Sequence, residues 1–218
     1  MAQIGRHRRL LQLLAGLWLY GATMALMVKA GLGLDPWDVF HEGLTKVTGL
    51  SFGTIVAIVG AVALLAWIPL RQRPGIGTVL NIIVIAISVD ATLAILPDPA
   101  SDAIELKCAM ALAGILGNGL AGALYVGAGL GTGPRDGLWV GLVARTGASV
   151  RLVRTILELS VFTIGLCLGG TANIATVVYA LAIGPIVQAL LPRTTVPEGV
   201  PMPQPLRPLM IQRATARV

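Results

Sequence analysis

The chain has 218 residues, of which 56% are hydrophobic and 12% charged, with a formal net charge of +6. Soluble domains carry about 25% charged residues, so this composition cannot furnish a hydrated shell, and a soluble enzyme is excluded. Disorder, a coiled coil and a collagen-like chain are excluded for most of the length, and a mean hydropathy of +0.84 leaves an integral membrane protein.

The first element, residues 1–9, holds Arg6, Arg8 and Arg9 and reads as a basic cytoplasmic N-terminus. A spanning helix needs about 20 mostly apolar residues, and Leu10–Val28 provides the first. It is long and has no small-x-small cleavage site, so it is not a signal peptide. A polar-flanked stretch, Gly31–Gly49, follows, then spans at Phe52–Leu70 and Ile76–Leu96. These complete a first membrane repeat over 10–97. An acidic extracytoplasmic loop covers 98–105. The second repeat, 106–191, holds spans at Leu106–Val126, Leu152–Leu168 and Ile174–Leu191, with a second polar-flanked stretch at Gly129–Gly147. Residues 192–218 contain six of the thirteen prolines and four arginines. They are expected to form a Pro/Arg-rich disordered cytoplasmic tail.

The two polar-flanked stretches match at an offset of 98 residues. Gly31-Leu32-Gly33 falls on Gly129-Leu130-Gly131, Pro36 on Pro134, and Asp38 on Asp136. Gly43-Leu44, Thr48-Gly49, Ser51 and Thr78 also find their counterparts without a gap. Scattered matches of glycine and leucine arise by chance, but this run at one fixed offset indicates an internal duplication.

Each stretch predicts a short helix. In the first, Asp35 stands at the N-cap, Pro36 at N1 and Asp38 at N3. In the second, Gly133 replaces the cap aspartate while Pro134 and Asp136 keep their places. About 12 residues rise roughly 18 Å, too short for a hydrocarbon core of about 30 Å, so both helices are expected to be re-entrant or interfacial. Gly31, Gly33, Gly129 and Gly131 supply the turns before them.

The expected fold is therefore all-α and polytopic. It has six transmembrane helices plus two short helices, arranged as an inverted 3+3 repeat. With the N-terminus in the cytoplasm, 13 basic residues lie inside, and only Lys29, Lys46 and Lys107 lie outside, as the positive-inside rule requires. If both short helices crossed, there would be eight spans and a count of 12 against 4. Helix length and the charges Asp38, His41, Glu42 and Lys46 favour six.

Five residues are candidates for a solute or ion pathway. Asp38 and Asp136 head the short helices, where helix capping is the plain alternative, and Arg135 adds charge beside Asp136. Asp90 and Glu158 lie inside predicted spans, where an ionisable group is expensive; Glu158 can pair with Arg154 one turn earlier. Asn81 and Asn118 are expected to hydrogen-bond across helices. Gly16, Gly21, Ala25, Gly114, Gly119, Gly122 and Ala123 permit close helix contact. Trp37, Trp67 and Trp139 are expected at the membrane interfaces, and Cys108 and Cys167 as buried, inert thiols.

His7 and His41 have no zinc-type spacing with the cysteines. There is no nucleophile elbow and no P-loop. Neither catalytic residues nor a metal or cofactor is expected. The lipid bilayer is the expected surrounding, nucleic acid is not a partner, and a homo-oligomer or membrane partner is an open possibility.

The segment G-L-G-x-x-P-W-D (Gly31–Asp38) after the first span, with R-P-G-I-G-T-V-L-N (Arg73–Asn81), resembles the YczE/YitT-type bacterial integral membrane proteins over roughly residues 10–191. The third span departs from that pattern: it reads Ile-Ser-Val-Asp at 87–90 where the family has Gly-Pro before the acidic residue. Gly184-Pro185 stands in the last span instead. The resemblance implies a multi-pass protein of the bacterial plasma membrane. It carries over no catalytic residues.

The reading that follows is a small secondary transporter or permease for a small solute. A non-transporting scaffold, or a capture or regulatory subunit of a larger membrane complex, is the alternative.

Overall fold

A computed structural model describes residues 2–100 and 102–195. The tail expected over 192–218 falls mostly outside the described residues, and so does the Arg6 side chain of the basic N-terminus.

The described residues form nine helical segments: α1 (Ala2–Ala30), α2 (Pro36–Thr48), α3 (Phe52–Leu65), α4 (Trp67–Leu70), α5 (Ile76–Ile95), α6 (Ile104–Gly127), α7 (Pro134–Thr146), α8 (Val150–Cys167) and α9 (Ile174–Thr194). Among these residues, α1, α3 with α4, α5, α6 and α9 give five helices long and apolar enough to cross a membrane. The expected sixth span, α8, has 18 residues. It is set apart by its three charged residues, Arg151, Arg154 and Glu158.

α1 and α6 form the centre, and small residues decide how closely they approach. A Cβ on Gly16 would lie 2.9 Å from the backbone nitrogen of Tyr125, and one on Gly114 would lie 2.5 Å from Met27 Cγ. Larger residues would push the helices apart. α5 packs on the other flank of α1, where a Cβ on Gly21 would stand 2.7 Å from the Ile85 carbonyl oxygen. α9 packs on α6. The small-residue stripes are thus used inside the monomer.

Both short helices have 13 residues, about 20 Å at 1.5 Å per residue. Asp35 caps α2, accepting from the N–H groups of Trp37 at 2.8 Å and Asp38 at 2.9 Å. α7 begins on Gly133 with no side-chain cap. Each helix stops at a left-handed glycine, Gly49 (φ 72°) or Gly147 (φ 69°).

α2 does not pack chiefly within its own half of the chain. It lies on α8, with Gly43 against Gly165 and Leu168. α7 lies on α3 and α4, with Gly137 against Trp67 and Gly141 against Leu70. The linkers before the short helices are held in the same crosswise way. Ala175 N–H donates to Leu32 O at 2.9 Å, and Gly77 N–H donates to Leu130 O at 2.9 Å. Ser51 and Ser149 each accept a capping bond at 3.2 Å, from Thr54 and Leu152.

Two expectations are corrected. Trp67 is not an interface residue: it is buried, and its indole N–H donates to Pro134 O at 2.9 Å. Trp37 and Trp139 also turn inward and line a cavity. Cys108 and Cys167 are exposed on helix surfaces, not buried. An apolar run in a membrane protein faces lipid as readily as core, so hydropathy alone did not separate the two.

Candidate functional site

A cavity of about 400 Å³ lies among α1, α3, α5, α6, α8 and α9, and the N-terminal ends of α2 and α7 form part of its wall. Tyr20 and Asn118, near the middle of α1 and α6, contribute to it, so it sits about midway along those two helices. Leu157 and Glu158 of α8 and Ala180 and Ile183 of α9 form one side. These two helices do not pack along each other.

The crosswise packing brings together residues 97 positions apart in sequence. Arg135 at the start of α7 reaches Asp38 at the start of α2, with Nη2 3.8 Å from Oδ1. The Asp38 side chain is 2% exposed and the Arg135 side chain 22%. The guanidinium also lies 5.1 Å over the Trp37 ring, a cation–π geometry. Asp136 Oδ2 accepts from the Tyr125 hydroxyl at 2.9 Å. Asn118 accepts from the Tyr179 hydroxyl at 2.8 Å and donates to Thr23 at 3.3 Å. Asp38 adjoins the Arg135 guanidinium, and Asp35 and Asp136 line the same cavity. Arg154 lines it too but is paired with Glu158, so the remaining carboxyls outnumber the one guanidinium of Arg135.

α2, with 13 residues, is not among the helices long and apolar enough to cross a membrane, and carboxyls at its start are shifted. Burial pushes Asp35 up to about 6, and the Asp38 charge adds to the effect. Burial also pushes Asp38 up to about 6, against the pull of Arg135.

The sequence candidates divide. Arg135 and Asp136 line the cavity, and Asp38 is buried beside Arg135, outside the lining. Glu158 lines the cavity as well and pairs with Arg154, whose Nε donates at 2.7 Å. Asp90 stands apart: it accepts from Ser51 Oγ and Gly53 N–H, both at 2.6 Å, and so tethers the start of α3 to α5. Among the turn and cap residues, Asp35, Pro36 and Pro134 line the cavity. Gly31, Gly33, Gly129 and Gly131 take positive φ in the linkers before the short helices.

Sequence reasoning gave no role in a site to Tyr20, Tyr125, Tyr179 or His41. The tyrosines look like ordinary span residues until packing turns their hydroxyls inward. For His41 there was one signal: it follows Asp38 by three residues, which puts both on one face of a helix. Its Nδ1 lies 3.0 Å from Asp38 Oδ1. Glu42 and Lys46 were read only as charges opposing a crossing. They hold the loop after α8, through Thr171 and the Gly169 carbonyl.

The chain belongs to the DUF6198 family, a family of unknown function whose model matches residues 7–192. It is 41% identical over 179 residues to an uncharacterized protein of Haemophilus influenzae, covering 82% of this chain and 81% of the relative. It is 32% identical over 176 residues to the uncharacterized membrane protein YczE of Bacillus subtilis, covering 80% of each. No solved structure matches. With its apolar helices, this places the chain among membrane proteins, as the sequence motifs suggested.

Proposed function

We propose that this member of the DUF6198 family is a small secondary transporter whose mid-depth cavity takes a small solute bearing a positive charge, alone or in a zwitterion. The observation that carries the reading is the meeting of two short-helix N-termini at one cavity, with Asp38 3.8 Å from Arg135. Transporters built on inverted repeats place broken helix ends at the substrate, and ionisable groups at membrane depth mark pathways. The excess of carboxyls over guanidinium favours an amine as the solute's contact with Asp35 and Asp136.

The proposed architecture is six spans in two inverted halves in the bacterial plasma membrane, with both termini cytoplasmic. The crosswise bonds from Ala175 to Leu32 and from Gly77 to Leu130, and the serine caps at 51 and 149, are related by the same offset of 98. That recurrence supports duplication. The sixth span is α8, about 27 Å long at 1.5 Å per residue. Its charged pair Arg154–Glu158 lines the cavity, which lowers the cost of those charges. A single cysteine at Gln72, with Cys108 and Cys167 replaced, tests the orientation. Protection from an impermeant reagent in intact cells supports it, and labelling from outside overturns it.

The function is tested with purified protein against a panel of small primary amines, polyamines, amino acids and dicarboxylates. Binding is read by thermal shift, then uptake in proteoliposomes. The expected result is stabilisation and uptake of amines or amino acids, lost in Asp136→Asn and Arg135→Gln. A panel in which nothing binds or accumulates, or in which only dicarboxylates do, overturns the proposal. The first of these outcomes favours the non-transporting membrane subunit.

A further inference from the structure

Asp38, His41 and Thr45 occupy positions i, i+3 and i+7 of α2, one stripe on one face of the helix. Asp38 ends the stripe beside Arg135, which lines the cavity. Thr45 ends it at an open pocket that it shares with Val28, Phe52, Asp90 and Leu93, on the face of the molecule where α2 terminates. His41 lies between them, fully buried, with the Phe40 and Phe52 rings at 6.3 and 6.0 Å.

The hydrogen bonds along this stripe stop partway. His41 Nδ1 faces Asp38 Oδ1 at 3.0 Å. His41 Nε2 and Thr45 Oγ1 are both buried and have no hydrogen-bond partner among the described residues. A buried polar atom left unbonded costs stability, and native proteins hold few of them. Two such atoms stand one turn apart, on the line that joins the cavity to the open pocket. A purely structural aromatic would pack between Phe40 and Phe52 without that cost.

We infer that Asp38, His41 and Thr45 form a proton path between the central cavity and the open pocket at the end of α2. This rests on the transporter reading and makes the solute step proton-coupled. A proton reaches His41 Nε2 by way of the Thr45 hydroxyl and one bridging water. The Nδ1 proton passes to Asp38 Oδ1. His41 is left neutral in its other tautomer, Asp38 is left as the carboxylic acid and releases its proton toward the cavity, and a turn of the ring resets the imidazole. No electrons move, and one proton enters for each one delivered.

The charges around the path suit transient passage. Arg135 of α7 and Asp35 of the linker face the Asp38 end. Glu42 and Lys46, on α2 itself, are engaged with the loop after α8. Asp90 of α5 is bonded to Ser51 and Gly53. α8 brings Gly165 and Leu168 to the contact. With Arg135 close by, a lasting imidazolium is disfavoured, so His41 passes protons on without storing them.

The test uses full-length protein in liposomes loaded with a pH-sensitive dye. A potassium diffusion potential drives protons, with and without a mixture of primary amines and amino acids on both sides. Wild type is expected to carry protons faster than protein-free liposomes in at least one of these conditions. His41→Gln and Thr45→Val are each expected to lower that flux at least tenfold. Thr45→Val is the control against misfolding, because it removes a hydroxyl that has no partner among the described residues and keeps the side-chain shape. Wild-type flux in Thr45→Val, or in a folded His41→Gln, overturns the path. So does the absence of wild-type proton flux in both conditions, even where the panel solutes bind. Solute binding by wild type is measured separately, so failure of the path and failure of the transporter reading give different results.

Discussion

Replacing Arg135 by glutamine tests the contact on which the site is built. The guanidinium stands 3.8 Å from Asp38 Oδ1, and the two side chains are 22% and 2% exposed. At that separation, and at an effective dielectric constant of about 20, opposite unit charges attract by about 4 kcal/mol. Removing one partner of a buried pair costs about 3–5 kcal/mol, because the other charge is stranded. For a chain of this size 1 kcal/mol shifts the melting temperature by about 2–4 °C, so Arg135→Gln should lower it by roughly 10 °C. The double variant Arg135→Gln/Asp38→Asn should recover part of the loss, since neither charge is then stranded. A coupling of about 2–3 kcal/mol is expected. Thermal unfolding followed by tryptophan fluorescence measures all four forms, and Trp37 lies against the guanidinium. Effects that add to within about 0.5 kcal/mol would refute the reasoning, because they would mean the two short helices do not share one electrostatic site.

Three further outcomes follow from the structure. Gly33→Ala should be destabilised more than Gly49→Ala. Both glycines have positive φ, but a Cβ at Gly33 would lie 2.6 Å from Thr176 Oγ1 whereas Gly49 is open. The left-handed backbone costs each about 1–2 kcal/mol, overpacking adds about 1–3 kcal/mol at Gly33 alone, and equal melting temperatures would contradict the tight linker. Asp90→Ala should lose about 2 kcal/mol through the two bonds at the start of α3 and keep its response to panel solutes; loss of that response would return Asp90 to the pathway. Binding of an amine should weaken as pH falls through about 6, where Asp35 and Asp38 take up protons. The same raised values make the free protein more stable as pH falls through that range, because the native state holds those protons more tightly than the unfolded chain. A thermal-shift series across pH separates the two trends by their opposite signs.

Membrane class was legible in composition alone, because 12% charged residues cannot clothe a soluble surface. The short helices were legible to within a residue or two. Asp35, Pro36 and Gly49 act locally, through a cap, a fixed φ and a left-handed stop, and the counterparts at 133, 134 and 147 do the same apart from the missing cap. Family membership followed from the same motifs. What lies across the bundle was not legible. Periodicity reports that a side chain is apolar, and in a bilayer both core and lipid accept it. So Trp67 was expected at an interface and is buried, and the cysteines were expected inside and are exposed. Asp90 looked like a pathway residue because depth was all the sequence offered, and its partners Ser51 and Gly53 sit on another helix.

The sequence by itself determined the elements and the chemistry each could carry. Only the tertiary structure decided that α2 rests on α8 and α7 on α3 and α4. That exchange depends on glycines fitting against glycine, tryptophan and leucine across distant segments, and no local rule encodes it. It brings Arg135 and Asp136 to one cavity with Asp38 against Arg135, and it leaves His41 buried with one nitrogen bonded and the other without a partner among the described residues.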